Sequence, residues 1–549
     1  MEWSGKMTMS RREELVSWEQ VRRYAVPRWM IARTAERRLA GDWRGACAAA
    51  NVDVAFDLGE VASAYGAPVA AALEEDLAHF APDLVRWHLP RWLRGYAILL
   101  PQRSVLLARY AGADGPALSI DTSQSDNKGE PRSEPQRLTL RFGLFAQHGP
   151  FDTTRAGARS VYRGRVDNWT TSRHLWDARR AGELRARCGG ADRAPFCAPD
   201  GTPLTAGELP AADPGPGDPA GRAEWAVLLQ ERGAAEEAAA VAGIEVDAAS
   251  EADTASGPVT LAAYLQRRPL ALTRLAAEVQ LLAETGQGGQ FYWHVRSGGS
   301  IAVAEPGPAG LRLRLAMSDQ IPEGFPGAAL LPDVCWRPLP DLDLVFSGRV
   351  TAAQLHPLVS ASLFPAREPG ADDGPPDGLL PAPVRLRCRG EWHEVSSAGG
   401  RLQIQHTPVE EQRERSLVAL GGTTAGCFAV QRAWTSGVGW LPRGLRDQRR
   451  ELFNRVLHGD TPGVLRLLDA GLDPRVRDVR RFTLLHVLHY LDWQVLLPRL
   501  LAEGLDLEAL DYQKRTPLHM ARQKGPAELV SALAAAGACT DDWNWDDDD

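Results

Sequence analysis

The chain has 549 residues, 44% of them apolar and 24% charged, with a net charge of −8. That is material for several hydrophobic cores and, by length, for three or four domains. It argues against nucleic acid as the main partner, and no run approaches the ~18 consecutive apolar residues of a membrane-spanning helix.

The opening residues, MEWSGKMTMSRREELVSWEQ, carry no apolar targeting core, so a cytoplasmic protein with no membrane partner is expected. Seven widely spaced cysteines, an odd number, make no disulfide framework. The Asn168-Trp169-Thr170 sequon is then a chance match. Arg far outnumbers Lys, which occurs only at Lys6, Lys128, Lys514 and Lys524; with the abundant Ala and Gly this is the usage of a GC-rich bacterial genome.

Taken in order, residues 13–50 read as helix with Arg-rich faces, broken near Pro27 and Gly41-Asp42. Strand-like runs follow at 96–100, 104–109 and 138–142, giving an α+β domain over 1–197. Residues 198–256 combine PAADPGPGDPAG and EVDAASEADTASG around an Ala/Glu-rich helical stretch, which reads as a linker. A second α+β domain spans 257–443. It starts with helical periodicity over 261–283 and continues with strands at 291–295, 301–304, 311–316, 384–388, 392–395 and 401–405. A helix over 410–420 follows, and Cys427-Phe428-Ala429-Val430 reads as a closing strand. The sheets are expected to be mixed or antiparallel.

The familiar signatures of chemistry are missing. No Lys precedes Ser or Thr, so there is no phosphate loop, and Gly286-Gln287-Gly288-Gly289 follows a helix rather than a strand. His393-Glu394 lacks the second His of a zinc protease motif. Cys188 and Cys197 are separated by eight residues with no matching second pair, which disfavours a metal knuckle. Within 341–356, Asp341, Asp343 and His356 form a conceivable acid/base set if the two carboxylates share one face of a strand, although a surface strand running into a helix is the favoured reading. The expectation is no catalytic residue, no metal and no cofactor.

The carboxyl end carries the strongest pattern. Gly471, Gly504 and Gly537 recur every 33 residues, as do Leu467, Leu500 and Leu533. Asp478 and Asp511 keep the same interval, and so do Thr483-Leu484-Leu485-His486 and Thr516-Pro517-Leu518-His519. Thr516 suits a helix N-cap, Pro517 the first helical position, and Gly537 the left-handed residue after a helix. Such a unit of one turn and two helices cannot bury its apolar side alone and must stack on neighbours.

This pattern resembles the ankyrin repeat, whose hallmark Thr-Pro-Leu-His is complete at 516–519. The likeness covers about 445–541, with an atypical first unit at 452–473, so an all-α solenoid is expected over 444–541 and an acidic tail over 542–549. The resemblance implies that His486 and His519 are structural, each imidazole bonding the Thr hydroxyl and neighbouring turns. It also implies a protein-binding groove lined by Val479, Arg480, Phe482, Tyr490 and Leu491 in one repeat and Tyr512, Gln513, Arg515, Gln523 and Lys524 in the next. One departure is that the family's turn Gly is Arg481 and Lys514 here, where a left-handed backbone is strained and a less regular turn is expected. The function expected is an intracellular scaffold or regulator that recruits a partner protein through the repeats. An enzyme of unrecognised class in 1–443 with the repeats as a targeting arm is one alternative, and a nucleic-acid-associated regulator is another.

Overall fold

The computed structural model describes residues 11–93, 97–112, 115–122, 136–144, 165–247, 250–254, 257–267, 270–285, 289–294, 300–307, 310–317 and 328–540. Within these the chain is a mixed α/β region followed by a largely α-helical stretch. It divides into two compact units, the first ending at Pro376 and the second beginning at Asp377. The acidic tail and Gly286 to Gly288 lie outside the described residues.

The first unit contains two five-stranded sheets with one shared topology. In the first, the antiparallel meander Arg103–Arg109, Pro116–Thr122 and Leu138–Leu144 forms the centre. Val52–Val54 precedes the meander and pairs in parallel with its last strand, while Arg165–Asn168 follows and pairs in parallel with its first. The second sheet repeats this. Its meander is Gln290–His294, Ser300–Gly307 and Gly310–Met317. Ile244–Val246 pairs in parallel with the last of these strands and Ala328–Leu330 with the first.

A helical hairpin precedes each sheet: Arg28–Leu39 with Trp43–Ala49, and Pro219–Glu231 with Ala235–Val241. Between the first edge strand and the meander lie further helices, including Leu58–Tyr65 and Ala67–Ala78 in one case and Leu261–Arg267 and Leu272–Glu284 in the other. The hairpins keep a residue-level likeness at an offset of 192: Gly41 with Gly233, Ala46 with Ala238, Val54 with Val246. The backbone agrees, since Gly41 and Gly233 both have positive φ (77° and 82°), as do Asn51 and Gly243 (56° and 72°). Ala46 and Ala238 are both fully buried. The first unit is therefore built on a repeated supersecondary plan.

This plan changes the reading of 198–256. The two helices there bury Ala226, Leu229, Ala238 and Ala239, and Ile244 enters the sheet. Their small residues at helical spacing pack closely, which the surrounding Pro and Gly disguise. Helix 261–283 is two helices, as given above. Asp341 and Asp343 lie on the helix Pro340–Phe346, not on a strand, with Pro340 at its start as the first-turn position favours.

The second unit opens with an antiparallel three-stranded sheet, Val384–Cys388, Glu391–Ala398 and Arg401–Ile404. The helix Pro408–Ala419 follows, its Thr407 and Glu410 closing a reciprocal capping box. Residues 427–430, read as a strand from sequence, belong to the helix Gly426–Ser436. Cys427, Val430, Ala433 and Trp434 are its buried face, a spacing of three and four that suits a helix, and Gly437 ends it at φ 74°.

Three helical pairs then stack: Arg443–Leu457 with Thr461–Asp469, the 3-10 turns Leu484–Tyr490 with Trp493–Ala502, and Pro517–Lys524 with Ala527–Ala535. Their second members end alike. Gly471, Gly504 and Gly537 have φ of 91°, 72° and 102°. The following amides, of Leu472, Leu505 and Ala538, donate to the carbonyls of Leu467, Leu500 and Leu533 at 3.1, 3.2 and 3.1 Å. These are three copies of one helix-terminating motif. Leu452, Val464, Leu467, Leu488, Leu496, Leu500, Leu518 and Leu533 fill the shared core. Among the described residues no helix is long and apolar enough to cross a membrane.

Candidate metal centre and the adjoining cleft

The three-stranded sheet and the helix Gly426–Ser436 bring together four side chains from separate elements. Cys388 ends the first strand and His393 faces back from the second, while His406 follows the third and Cys427 opens the helix Gly426–Ser436. The hairpin at Arg389-Gly390 uses positive φ at both residues (51° and 91°), which turns the chain in two residues and returns His393 towards Cys388.

One ligand atom from each of the four lies within 4.8 Å of all the others. Cys388 Sγ is 3.5 Å from His406 Nε2, Cys427 Sγ is 3.5 Å from His393 Nδ1, and the two imidazole nitrogens are 3.1 Å apart. The outer ring nitrogens face carboxylates: His406 Nδ1 is 3.6 Å from Glu410 and His393 Nε2 3.9 Å from Glu391. Phe428 packs on the His406 ring with centroids 4.5 Å apart. Burial pushes the Cys427 thiol up to about 12, with Cys388 beside it adding to the effect. Gly426 is required for the approach, because a Cβ there would sit 2.4 Å from Cys388 Sγ and its φ is 59°. Neither the Cys188/Cys197 spacing nor the incomplete His393-Glu394 motif points to this group, because its four members fit no short ligand spacing. The one signal was the composition of the ββ-hairpin itself, with Cys and His flanking its turn.

A cleft of about 1040 Å³ lies beside the cluster. Arg385, Arg387 and Trp392 from the sheet form one wall, and Gly426, Arg432 and Trp440 from the helix and its exit form another. Arg477 and Arg481, from the turn that begins the next helical pair, complete it. No carboxylate is among the lining residues. Trp392 and Trp440 are 62% and 66% exposed. The Arg385 guanidinium lies 5.8 Å from the Trp392 ring centre, and Arg477 donates to the Leu510 carbonyl at 2.9 Å.

The residues expected to line a partner groove fall into three environments. Val479, Arg480, Tyr512, Gln513 and Gln523 are exposed. Phe482, Tyr490, Arg515 and Lys524 are half-buried, and Arg515 is bound to Asp511 at 2.8 Å with its guanidinium 6.0 Å from the Phe482 ring. Leu491 is 2% exposed and packs in the core, because the apolar side chain caps the end of the 3-10 turns rather than facing solvent. The turns bearing these residues match each other. Asp478 accepts the amides of Arg480 and Phe482, and Asp511 those of Gln513 and Arg515. Arg481 and Lys514 adopt φ of 61° and 60°, so both turns keep the left-handed form despite lacking Gly.

His486 and His519 sit at equivalent places. His486 Nδ1 is 2.8 Å from the Thr483 hydroxyl, and the Thr516 hydroxyl accepts the His519 amide at 3.2 Å. Burial lowers the His486 pKa to about 4.

In the first unit the acid/base trio does not converge as a site. Asp341 is fully buried in a bidentate pair with Arg22 (2.7 and 2.9 Å) and accepts Trp87 Nε1 at 3.0 Å. His356 is instead paired with Asp83 at 3.0 Å. Cys197 is buried beside the 197–203 turn, and Cys188 Sγ lies 3.9 Å from Arg274. Nearby, both ring nitrogens of His174 and Nε2 of His88 lack hydrogen-bond partners among the described residues, and burial holds both imidazoles well below their ordinary pKa. Compared with known protein families the sequence matches none, and no curated protein resembles it significantly.

Proposed function

We propose that the second unit is an ankyrin-type protein-binding module and that its cleft takes an acidic segment of a partner protein. The carrying observation is the cleft lining: five Arg and two exposed Trp with no carboxylate. Arg and Trp are the side chains enriched at binding hot spots, and guanidinium forks match carboxylates in bidentate geometry. Arg481 joins the cleft to the turn tips, where Val479, Arg480 and Tyr512 extend the surface. The ankyrin assignment rests on the matched Asp turns, the Thr–His contacts and the three equivalent Gly terminations. A chain of net charge −8 repels a long polyanion at distance, which favours a short acidic peptide over nucleic acid.

Fluorescence anisotropy of full-length protein with labelled peptides tests this. An Asp/Glu-rich peptide containing one aromatic residue should bind, a neutral peptide of the same length should not, and Arg385→Ala with Arg432→Ala should weaken binding at least tenfold. Preferential binding of a single-stranded oligonucleotide would replace this reading with the nucleic-acid one.

A second reading, catalysis in the first unit, is favoured by the buried imidazoles near Arg274, where His88 Nε2 and both His174 nitrogens have no hydrogen-bond partner among the described residues. Buried polar atoms without partners are uncommon and cluster where ligands bind. Thermal stabilisation by small carboxylate or phosphate compounds, lost in His174→Ala, would support it.

A further inference from the structure

We infer that Cys388, His393, His406 and Cys427 form a closed, tetrahedral Zn²⁺ site that ties the three-stranded sheet to the helix Gly426–Ser436. A zinc ion with Zn–S near 2.3 Å and Zn–N near 2.0–2.1 Å in tetrahedral geometry sets S···N edges of about 3.5 Å and N···N edges of about 3.3 Å. The two S···N distances here are 3.5 Å and the N···N distance is 3.1 Å. Three of the six edges therefore match a zinc-sized tetrahedron, and the other three are no longer than 4.8 Å.

The donor set selects the ion. Two thiolates and two imidazoles in tetrahedral array favour zinc over magnesium or calcium, which take oxygen ligands. Four protein ligands leave no open position, so the ion is structural rather than catalytic. Glu410 lies 3.6 Å behind the His406 ring, where a small approach on metal binding would let it accept the ring N–H and orient the ligand; the exposed Glu391, 3.9 Å from His393, is a weaker counterpart. Binding releases the thiol protons to solvent and forms two Zn–S and two Zn–N bonds, with no change of oxidation state.

The spacing is Cys-x4-His-x12-His-x20-Cys, so each ligand comes from a different element. The ion would cross-link the ends of all three strands to a helix start. The sheet needs such a tie. Leu386, Val395 and Leu402 are the apolar residues it buries, while Trp392 is left exposed. Two walls of the Arg/Trp cleft, at Arg387 and Gly426, adjoin ligands directly, so the ion also fixes the cleft's shape.

The test is elemental analysis of the purified full-length protein, with cobalt substitution. The expected result is one zinc per chain. After removal and replacement by Co²⁺, intense tetrahedral ligand-field bands and a thiolate-to-cobalt charge-transfer band should appear. Cys388→Ser and Cys427→Ser should each lose most of the metal and weaken the charge-transfer band, whereas Cys188→Ser should keep both. Should the ligand variants aggregate, His393→Cys provides a conservative check, since it should retain zinc and shift the cobalt spectrum towards three sulfurs. Protein grown with ample zinc that contains none and gives no tetrahedral cobalt spectrum overturns the assignment. So does unchanged metal content in both Cys variants.

Discussion

His486 Nε2 lies 3.0 Å from the carbonyl oxygen of Arg515, in the turn that leads into the following helical pair. Its other nitrogen meets the Thr483 hydroxyl and lies 3.2 Å from the Thr483 amide, so one buried ring joins its own helix start to the next turn. Replacing it with Ala leaves the Thr483 amide without that partner and removes one of two donors to the Arg515 carbonyl, which still accepts the Asp511 amide at 3.1 Å. His486→Ala should cost about 2–3 kcal/mol, combining an unsatisfied buried amide with a small cavity. Urea unfolding of the full chain measures it.

The same ring makes the stack sensitive to acid. Burial lowers the pKa of His486 from the ordinary 6.5 to about 4, and that of His489 to about 3. Above pH 6.5 both states are neutral and pH has no effect through these groups. Below it the unfolded chain takes up protons that the folded one resists, so stability falls as pH drops towards 4. At pH 5 the loss should be about 2 kcal/mol per histidine. Hydrogen exchange of peptides from 484–524, corrected for intrinsic rates, should show reduced protection at pH 5 relative to pH 7. Unchanged protection would contradict the burial of neutral imidazoles.

Arg481 and Lys514 hold φ near 60°, which costs an L-residue free energy that Gly does not pay. Arg481→Gly and Lys514→Gly should each change stability by less than about 1 kcal/mol, with strain relief offsetting the greater freedom of the unfolded chain. Asn, which tolerates this conformation without that entropy, should stabilise by a few tenths of a kcal/mol. Thermal unfolding of Lys514→Asn checks the sign.

In the first unit, the Arg22–Asp341 pair is buried at both ends, and every Asp341 contact is charge-assisted or to Trp87. Asp341→Ala leaves a guanidinium without its counter-ion in the interior. The expected loss is about 3–5 kcal/mol, read as a fall in soluble yield and melting temperature. A variant as stable as the parent would mean the pair is solvated.

Residues that carry backbone geometry were the legible ones. Gly471, Gly504 and Gly537 announce helix ends, Thr516-Pro517 a helix start, and Asp478 and Asp511 a turn. Each acts within a few positions of itself, so sequence spacing is enough. The strands 384–388 and 401–404 were legible for the same reason. Cys427–Val430 was misread because its four apolar residues suit either period until Ala433 and Trp434 are counted. The doubled sheet plan was hidden because the like residues are confined to the hairpins and the edge strand after each, and are mostly Gly and Ala, which are common throughout this chain. The Cys388–His393–His406–Cys427 group was hidden because its members meet only after three strands pair and a helix docks.

The most direct test of the docking reading is hydrogen–deuterium exchange of the full-length protein with and without a saturating Asp/Glu-rich peptide. The account predicts slowed exchange in 385–392, 426–440 and 477–481, and little change in 527–540. Protection confined to other segments, or none at all with the peptide bound, would contradict it.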